Sequence, residues 1–179
     1  MDKQVEGIIV TPVSSEGINR KLYKDIVAHG IPMVMVTNPK EGVGIPYVKV
    51  DNILGGYLAG KHLLELGHRR ITYISPDREK LMHHKRTLHS ENIERYEGLR
   101  QACLEYGALD HLGMVDAPNE EVTPTTIAQI LASDPLPTAL FAYSDTMAIM
   151  TIRMLESHGY STPGDFSVVG FDDLKIASL

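Results

Sequence analysis

At 179 residues, with 43% hydrophobic and 22% charged side chains and a mean hydropathy of −0.09, the chain has a globular composition and can bury a substantial core in one domain or two small lobes. A formal net charge of −6 and a pI near 5.7 argue against a nucleic-acid-binding surface made by this chain alone. No apolar run approaches the ~20 residues needed to span a bilayer. The polar start Met1-Asp2-Lys3-Gln4 lacks signal-peptide character, and the single cysteine, Cys103, excludes an internal disulfide and fits a reducing, cytoplasmic compartment.

Short β-branched runs alternate with amphipathic helical stretches. Gly7 to Pro12 reads as a buried strand, too short and too continuous for a helix. A helix is predicted from about Ile18 to His29, stopped by Gly30, followed by a strand over Ile31 to Val36 and a shorter one over Tyr47 to Val50. Asp51-Asn52 offers an N-cap for a helix that runs to Leu66 and stops at Gly67. Arg70 to Ser75 is the next strand. Pro76 to Asn92, rich in charge and histidine, reads as an exposed loop longer than an ordinary connection.

A helix from about Ile93 to Tyr106 stops at Gly107, and a weak strand lies over Leu112 to Asp116. Thr123-Pro124 reads as an N-cap with proline at N1, opening a helix through Ala132. The last stretch supplies a strand into Tyr143-Ser144-Asp145, a helix from Thr146 to His158 closed by Gly159, and a strand, Val168-Val169, running into Gly170-Phe171-Asp172-Asp173. Alternation at this spacing predicts βαβ units and mostly parallel sheets flanked by helices, an α/β protein.

In an open parallel sheet, ligands bind outside the carboxyl ends of the strands. Four acids stand at such ends: Asp51, Asp145, Asp172 and Asp173. Asp51 and Asp145 read equally well as helix caps, whereas no strong helical stretch follows Asp172, so its carboxylate is free to accept from ligand hydroxyls. Arg95 offers a planar fork of donors, although an arginine in the first turn of a helix is often simply solvated, and Tyr96 beside it reads as packed. Cys103 reads as a buried, inert thiol.

His83, His84 and His89 lack the spacing and companions of a metal site, so no metal and no cofactor are expected. No nucleophile elbow, P-loop or strand-to-helix G-x-G-x-x-G is present, and no enzyme is implied. The helix through Met147, Met150 and Met154 is apolar on nearly every face. It reads either as a plain core helix or as one that also meets a second subunit.

Val50-Asp51-Asn52, followed by Gly60-Lys61-His62-Leu63-Leu64-Glu65-Leu66-Gly67-His68-Arg69-Arg70-Ile71, resembles a signature of the LacI/GalR family of transcription regulators. Arg95-Tyr96-Glu97-Gly98-Leu99 is similar to the segment that carries that family's effector-binding arginine. The stretch from Pro137 to Met147, with Gly159, Pro163, Asp165 and Val168 to Asp173, is similar to its most diagnostic part. Some details resemble the arabinose-repressor branch.

The resemblance implies a two-lobed, type I periplasmic-binding-protein-like fold holding a small effector such as a sugar between the lobes. Residues 1–74 would form part of the first lobe and residues 75–179 most of the second. By position it implies Arg95 and Asp172 as effector contacts, with Ser144 (where relatives often have asparagine), Thr37 (where some have aspartate), Pro12 and Ser14 beside them. A homodimer, and operator DNA bound through a domain this chain lacks, are implied too. Against the family pattern the chain starts at the third strand and stops after Asp173, so an incomplete fold with exposed sheet surface is expected. A solute-binding protein of a sugar transporter is the alternative, and a hydrolase using Asp145 and Asp172 a third reading.

Overall fold

The computed structural model describes residues 5–12, 20–37, 42–77 and 91–175. They fall into two compact α/β units, the first running to Asp51 and the second beginning at Asn52. The first has three parallel strands in the order β1-β2-β3: β1 (Ile8–Val10), β2 (Met33–Val36) and β3 (Tyr47–Val48), with helix α1 (Arg20–Ala28) between the first two. Met33, Met35, Val43 and Ile45 form its small core, with Ile8, Val10, Tyr23 and Ile26 packed against it. The other face is left open at Ile9 of β1, 80% exposed, and both residues of the edge strand β3, Tyr47 and Val48, are exposed. The sheet surface expected to be bare is therefore present.

The second unit is built on a four-stranded parallel sheet, β5-β4-β6-β7, made of β4 (Ile71–Ser75), β5 (Leu112–Asp116), β6 (Ala139–Ala142) and β7 (Ser167–Val169). Helices α2 (Asn52–Glu65) and α3 (Glu91–Glu105) cover one face, where Leu63, Leu64, Leu99, Ala102 and Cys103 pack on Ile71, Tyr73, Ala139 and Phe141. Helices α4 (Pro124–Leu131) and α5 (Asp145–Ser157) cover the other, where Ile127, Ile130, Met147 and Leu155 pack on Ile74, Leu140 and Ala142. Both faces are buried, which is why β4 and β6 read as continuous apolar runs.

The expected boundary after residue 74 shifts to Asp51/Asn52. β4 pairs with β5 and β6, and α2 packs along α3, so residues 52–74 belong with the second unit. Helix stops fall where glycine placed them, with Gly30, Gly67, Gly107 and Gly159 all at positive φ. Thr123 caps α4 in a reciprocal box with Thr126, and Pro124 sits in the first turn. Residues 78–90, the bulk of the histidine-rich loop, lie outside the described residues, and Asn92 at its expected end is already helical and buried.

The packing of α2 on α3 is unusually close. A Cβ on Gly56 would run into the Arg95 carbonyl oxygen, and one on Gly98 into that of Ile53. Both obstructions are backbone and cannot swing aside. Exchanging Gly98 for alanine forces the helices apart, and urea unfolding should register a loss of about 1–3 kcal/mol or more. An unchanged midpoint would refute the close approach.

His68 clips the amino ends of β6 and β7, with Nδ1 2.9 Å from Thr138 Oγ1 and Nε2 3.0 Å from Ser167 Oγ. Burial holds its pKa below the ordinary 6.5. The folded chain therefore resists a proton that the unfolded chain accepts, so stability is lost as pH falls through that value. Denaturation followed from roughly pH 8 to 5 should show this loss relative to His68→Gln, which lacks the titrating ring.

Candidate functional site

The strand order places a topological switch between β4 and β6: the chain leaves β4 for β5 on one side, then crosses to β6 on the other. Ligands in such sheets bind outside the carboxyl ends at the switch. Arg95 lies at that place. Its α-helical turn is set from β4, because buried Tyr73 donates its phenol to Asn92 Oδ1 (2.8 Å) and Asn92 Nδ2 donates to Ser75 Oγ (3.1 Å). One turn later, Arg95 points along the ends of the strands and is only 5% exposed.

Every nitrogen of that guanidinium is engaged. Nε donates to Asn52 Oδ1 at 3.0 Å, Nη1 to the Tyr143 carbonyl at 2.7 Å, and Nη2 lies 3.2 Å from Asp172 Oδ1. The Phe171 ring stacks beneath it, 3.7 Å from its central carbon, and the Tyr143 ring lies at 4.6 Å. A buried charge this well paired costs far less than its bare desolvation.

The loop that bears Asp172 is fixed by Asp145. Its backbone N–H donates to the Phe171 carbonyl (2.8 Å), and its carboxylate accepts from the Leu174 N–H (2.7 Å). Asp172 itself adopts a φ of 107°, a region that L-residues rarely occupy and that tends to accompany binding sites. Its side chain is 35% exposed, against 7% for Arg95, so the carboxylate is the open member of the pair. Desolvation raises the Asp172 pKa and outweighs the opposing pull of Arg95, while Asp145 and Glu91 push it the same way as burial. Tyr143, whose phenol meets Glu91 at 3.2 Å, has its pKa pushed up to about 12, mainly by burial.

Of the residues expected from the sequence, Arg95 and Asp172 meet in the second unit, and Ser144 belongs to the same unit, next in the chain to Tyr143, whose carbonyl accepts from Arg95. Ser144 is buried and its hydroxyl accepts from Met147 N at 3.4 Å, making it the N-cap of α5. Asp145, which read equally well as a helix cap, is the first helical residue and anchors the loop instead. Pro12 and Thr37 belong to the first unit, where Pro12 is buried and Thr37, at φ 71°, donates its hydroxyl to the Val36 carbonyl. Ser14 lies outside the described residues. Met147 is wholly enclosed in the core of its own unit and cannot face a second subunit, whereas Met150 and Met154 are half-buried over that core. Sequence reading missed Asn52, Tyr143 and Phe171, which hold the guanidinium from three sides. Asn52 was legible as a helix start and as part of the Val50-Asp51-Asn52 signature, not as a partner of Arg95.

Residues 61–179 match the model of the periplasmic binding protein-like domain. The chain belongs to that family. It is 30% identical over 178 residues to the HTH-type transcriptional regulator DegA of Bacillus subtilis, covering 99% of this chain and 50% of that protein. It is 29% identical to an arabinose metabolism transcriptional repressor of Geobacillus stearothermophilus, covering 97% and 47%. Among solved structures, a LacI-family regulator from Enterococcus faecium with bound ribose superimposes with a TM-score of 0.75 at 28% identity, over 96% of this chain and 60% of that one. The chain thus spans about half the length of the curated relatives it matches, and the LacI/GalR resemblance is borne out.

The Arg95–Asp172 pair has a measurable signature. Because the folded pKa of Asp172 is raised, its contribution to stability is present below the ordinary aspartate range and lost as pH rises through the folded value. Carboxyl NMR should find Asp172 titrating above that range, and higher still in Arg95→Met, where the opposing positive charge is gone. An Asp172 midpoint indifferent to Arg95→Met would break the pairing.

Proposed function

We propose that this chain is the effector-sensing region of a LacI/GalR-type transcriptional repressor, a non-enzymatic sensor working in the cytoplasm. The ligand is a small neutral molecule carrying adjacent hydroxyls, such as a sugar. One observation carries this reading: at the strand ends of the second unit, a buried arginine held at each of its three nitrogens pairs with a half-open carboxylate. Asp172 accepts from ligand hydroxyls, and the remaining Nη hydrogens of Arg95 donate to their oxygens.

Glu91 and Asp145 act on Asp172 in the same direction as burial, against a further negative charge beside it. An anionic ligand would have to compete with Asp172 for the guanidinium and face those acids, whereas a neutral polyol satisfies both members of the pair. The ribose held by the Enterococcus faecium regulator and the arabinose-metabolism role in the name of the Geobacillus repressor favour the same chemistry. Their being regulators favours a sensor over a transporter component. Ligand binding would shift the protein between arrangements of differing DNA affinity. Operator contact would come from a DNA-binding domain outside this chain, and the half-buried Met150 and Met154 would lie at a homodimer contact.

A calorimetric and thermal-shift screen of pentoses and hexoses, ribose and arabinose first, should find a stabilising ligand. Arg95→Met and Asp172→Asn should each weaken it by about 1.5–3 kcal/mol, the worth of one charge-assisted hydrogen bond. Variants that bind as tightly as wild type would remove both residues from the site.

A further inference from the structure

Two of the groups that hold Arg95 are fixed by the main chain or by the loop after β7. The third is the side chain of Asn52, the first residue of α2 and of the second unit, and it is only 3% exposed. Its amide can sit in one orientation. Oδ1 accepts from Arg95 Nε at 3.0 Å, while Nδ2 faces Glu94 Oε2 at 3.3 Å; a flipped amide would set NH2 against guanidinium and oxygen against carboxylate.

The fork geometry of arginine then determines the rest. The guanidinium is rigid and planar, so fixing Nε on Asn52 and Nη1 on the Tyr143 carbonyl leaves its Nη2 edge one direction, toward Asp172. Phe171 and Tyr143 confine the plane from its faces but do not set rotation within it. Of its two anchors, only Asn52 is a side chain, and α2 carries it on a backbone pressed against α3 at Gly56 and Gly98.

We propose that Asn52 is a positioning residue of the effector site, its amide oxygen setting the rotation of the Arg95 guanidinium so that the Nη2 edge meets Asp172 and the ligand. This rests on reading Arg95 and Asp172 as effector contacts. It predicts that Asn52 governs ligand affinity without touching ligand.

The test reads Arg95 directly, by the 15N side-chain signals of the full chain. In wild type one Nε–H signal, identified by its loss in Arg95→Lys, should be displaced by the Phe171 ring current and exchange slowly with water. Asn52→Leu, close in volume but without an acceptor, should return it toward the position of free arginine and speed its exchange by about tenfold or more. Asn52→Asp, made together with Glu94→Gln so that two carboxylates do not meet where the amide sat, keeps the acceptor and adds charge, so the signal should stay displaced and exchange more slowly than in wild type.

With D-ribose or L-arabinose as probe, Asn52→Leu should lose about ten- to a hundredfold in affinity, as misplaced positioning groups do, while the double variant binds. An Arg95 signal unmoved in Asn52→Leu overturns the proposal. So does faster exchange in the double variant, an outcome that remains readable should the leucine variant fail to fold. If neither sugar binds wild type, the sugar reading falls, while the Arg95 signal still decides the role of Asn52.

Discussion

The second unit turns on the contact between α2 and α3, where the two helix backbones meet directly at Gly56 and Gly98. Gly56 lies against the carbonyl of Arg95 and Gly98 against that of Ile53, and a methyl group at either place has nowhere to go. Gly60 extends the seam to Leu99. This approach brings the first residue of one helix within hydrogen-bonding reach of an arginine on the other. Spread the helices by the width of a side chain and Asn52 loses Arg95. The guanidinium would then be buried with an unsatisfied donor, which costs more than the hydrogen bond itself contributes.

From that seam the site follows in steps. Tyr73, Asn92 and Ser75 tie the start of α3 to the end of β4, fixing the height at which Arg95 emerges above the sheet. Asp145 ties the loop after β7 to the start of α5, and the loop presents Phe171 to the flat of the guanidinium and Asp172 to its edge. Even Gly55 takes part, since a Cβ there would stand 2.6 Å from the Phe171 ring. The arginine is thus held by polar groups around its rim and aromatic rings on its faces, arrangements in which a buried cation is tolerated. What stays open is a carboxylate whose neighbours disfavour further negative charge.

The apolar helix α5 shows how burial redistributes roles that composition leaves equal. Its three methionines are alike in sequence, yet Met147 is sealed in the core while Met150 and Met154 lie half-exposed over it. Helical period decides this, because one stripe must face the sheet. The first unit is the contrast. Its strands bury one face on a small cluster and leave Ile9 bare, so alternation along a strand that reads as uniformly apolar becomes visible only when one side lacks a cover.

The elements and their class are legible along the chain. Apolar runs, glycine stops and the Thr123-Pro124 start are local signals, governed by backbone conformation and hydrogen bonding within a few residues, and they landed where expected. The spacing of strands and helices determined a parallel α/β architecture, and residues at strand ends pointed to Asp172. The tertiary structure alone decided that Arg95 is buried rather than solvated, that Ser144 and not Asp145 caps α5, and that the units divide at Asn52. It alone brought Asn52, Tyr143, Phe171 and Asp172 around one guanidinium. The reason is distance along the chain: 43 residues separate Asn52 from Arg95 and 48 separate Arg95 from Tyr143. No local propensity registers such contacts. They exist only because the glycines let two helices touch and the sheet order sets three strand ends side by side.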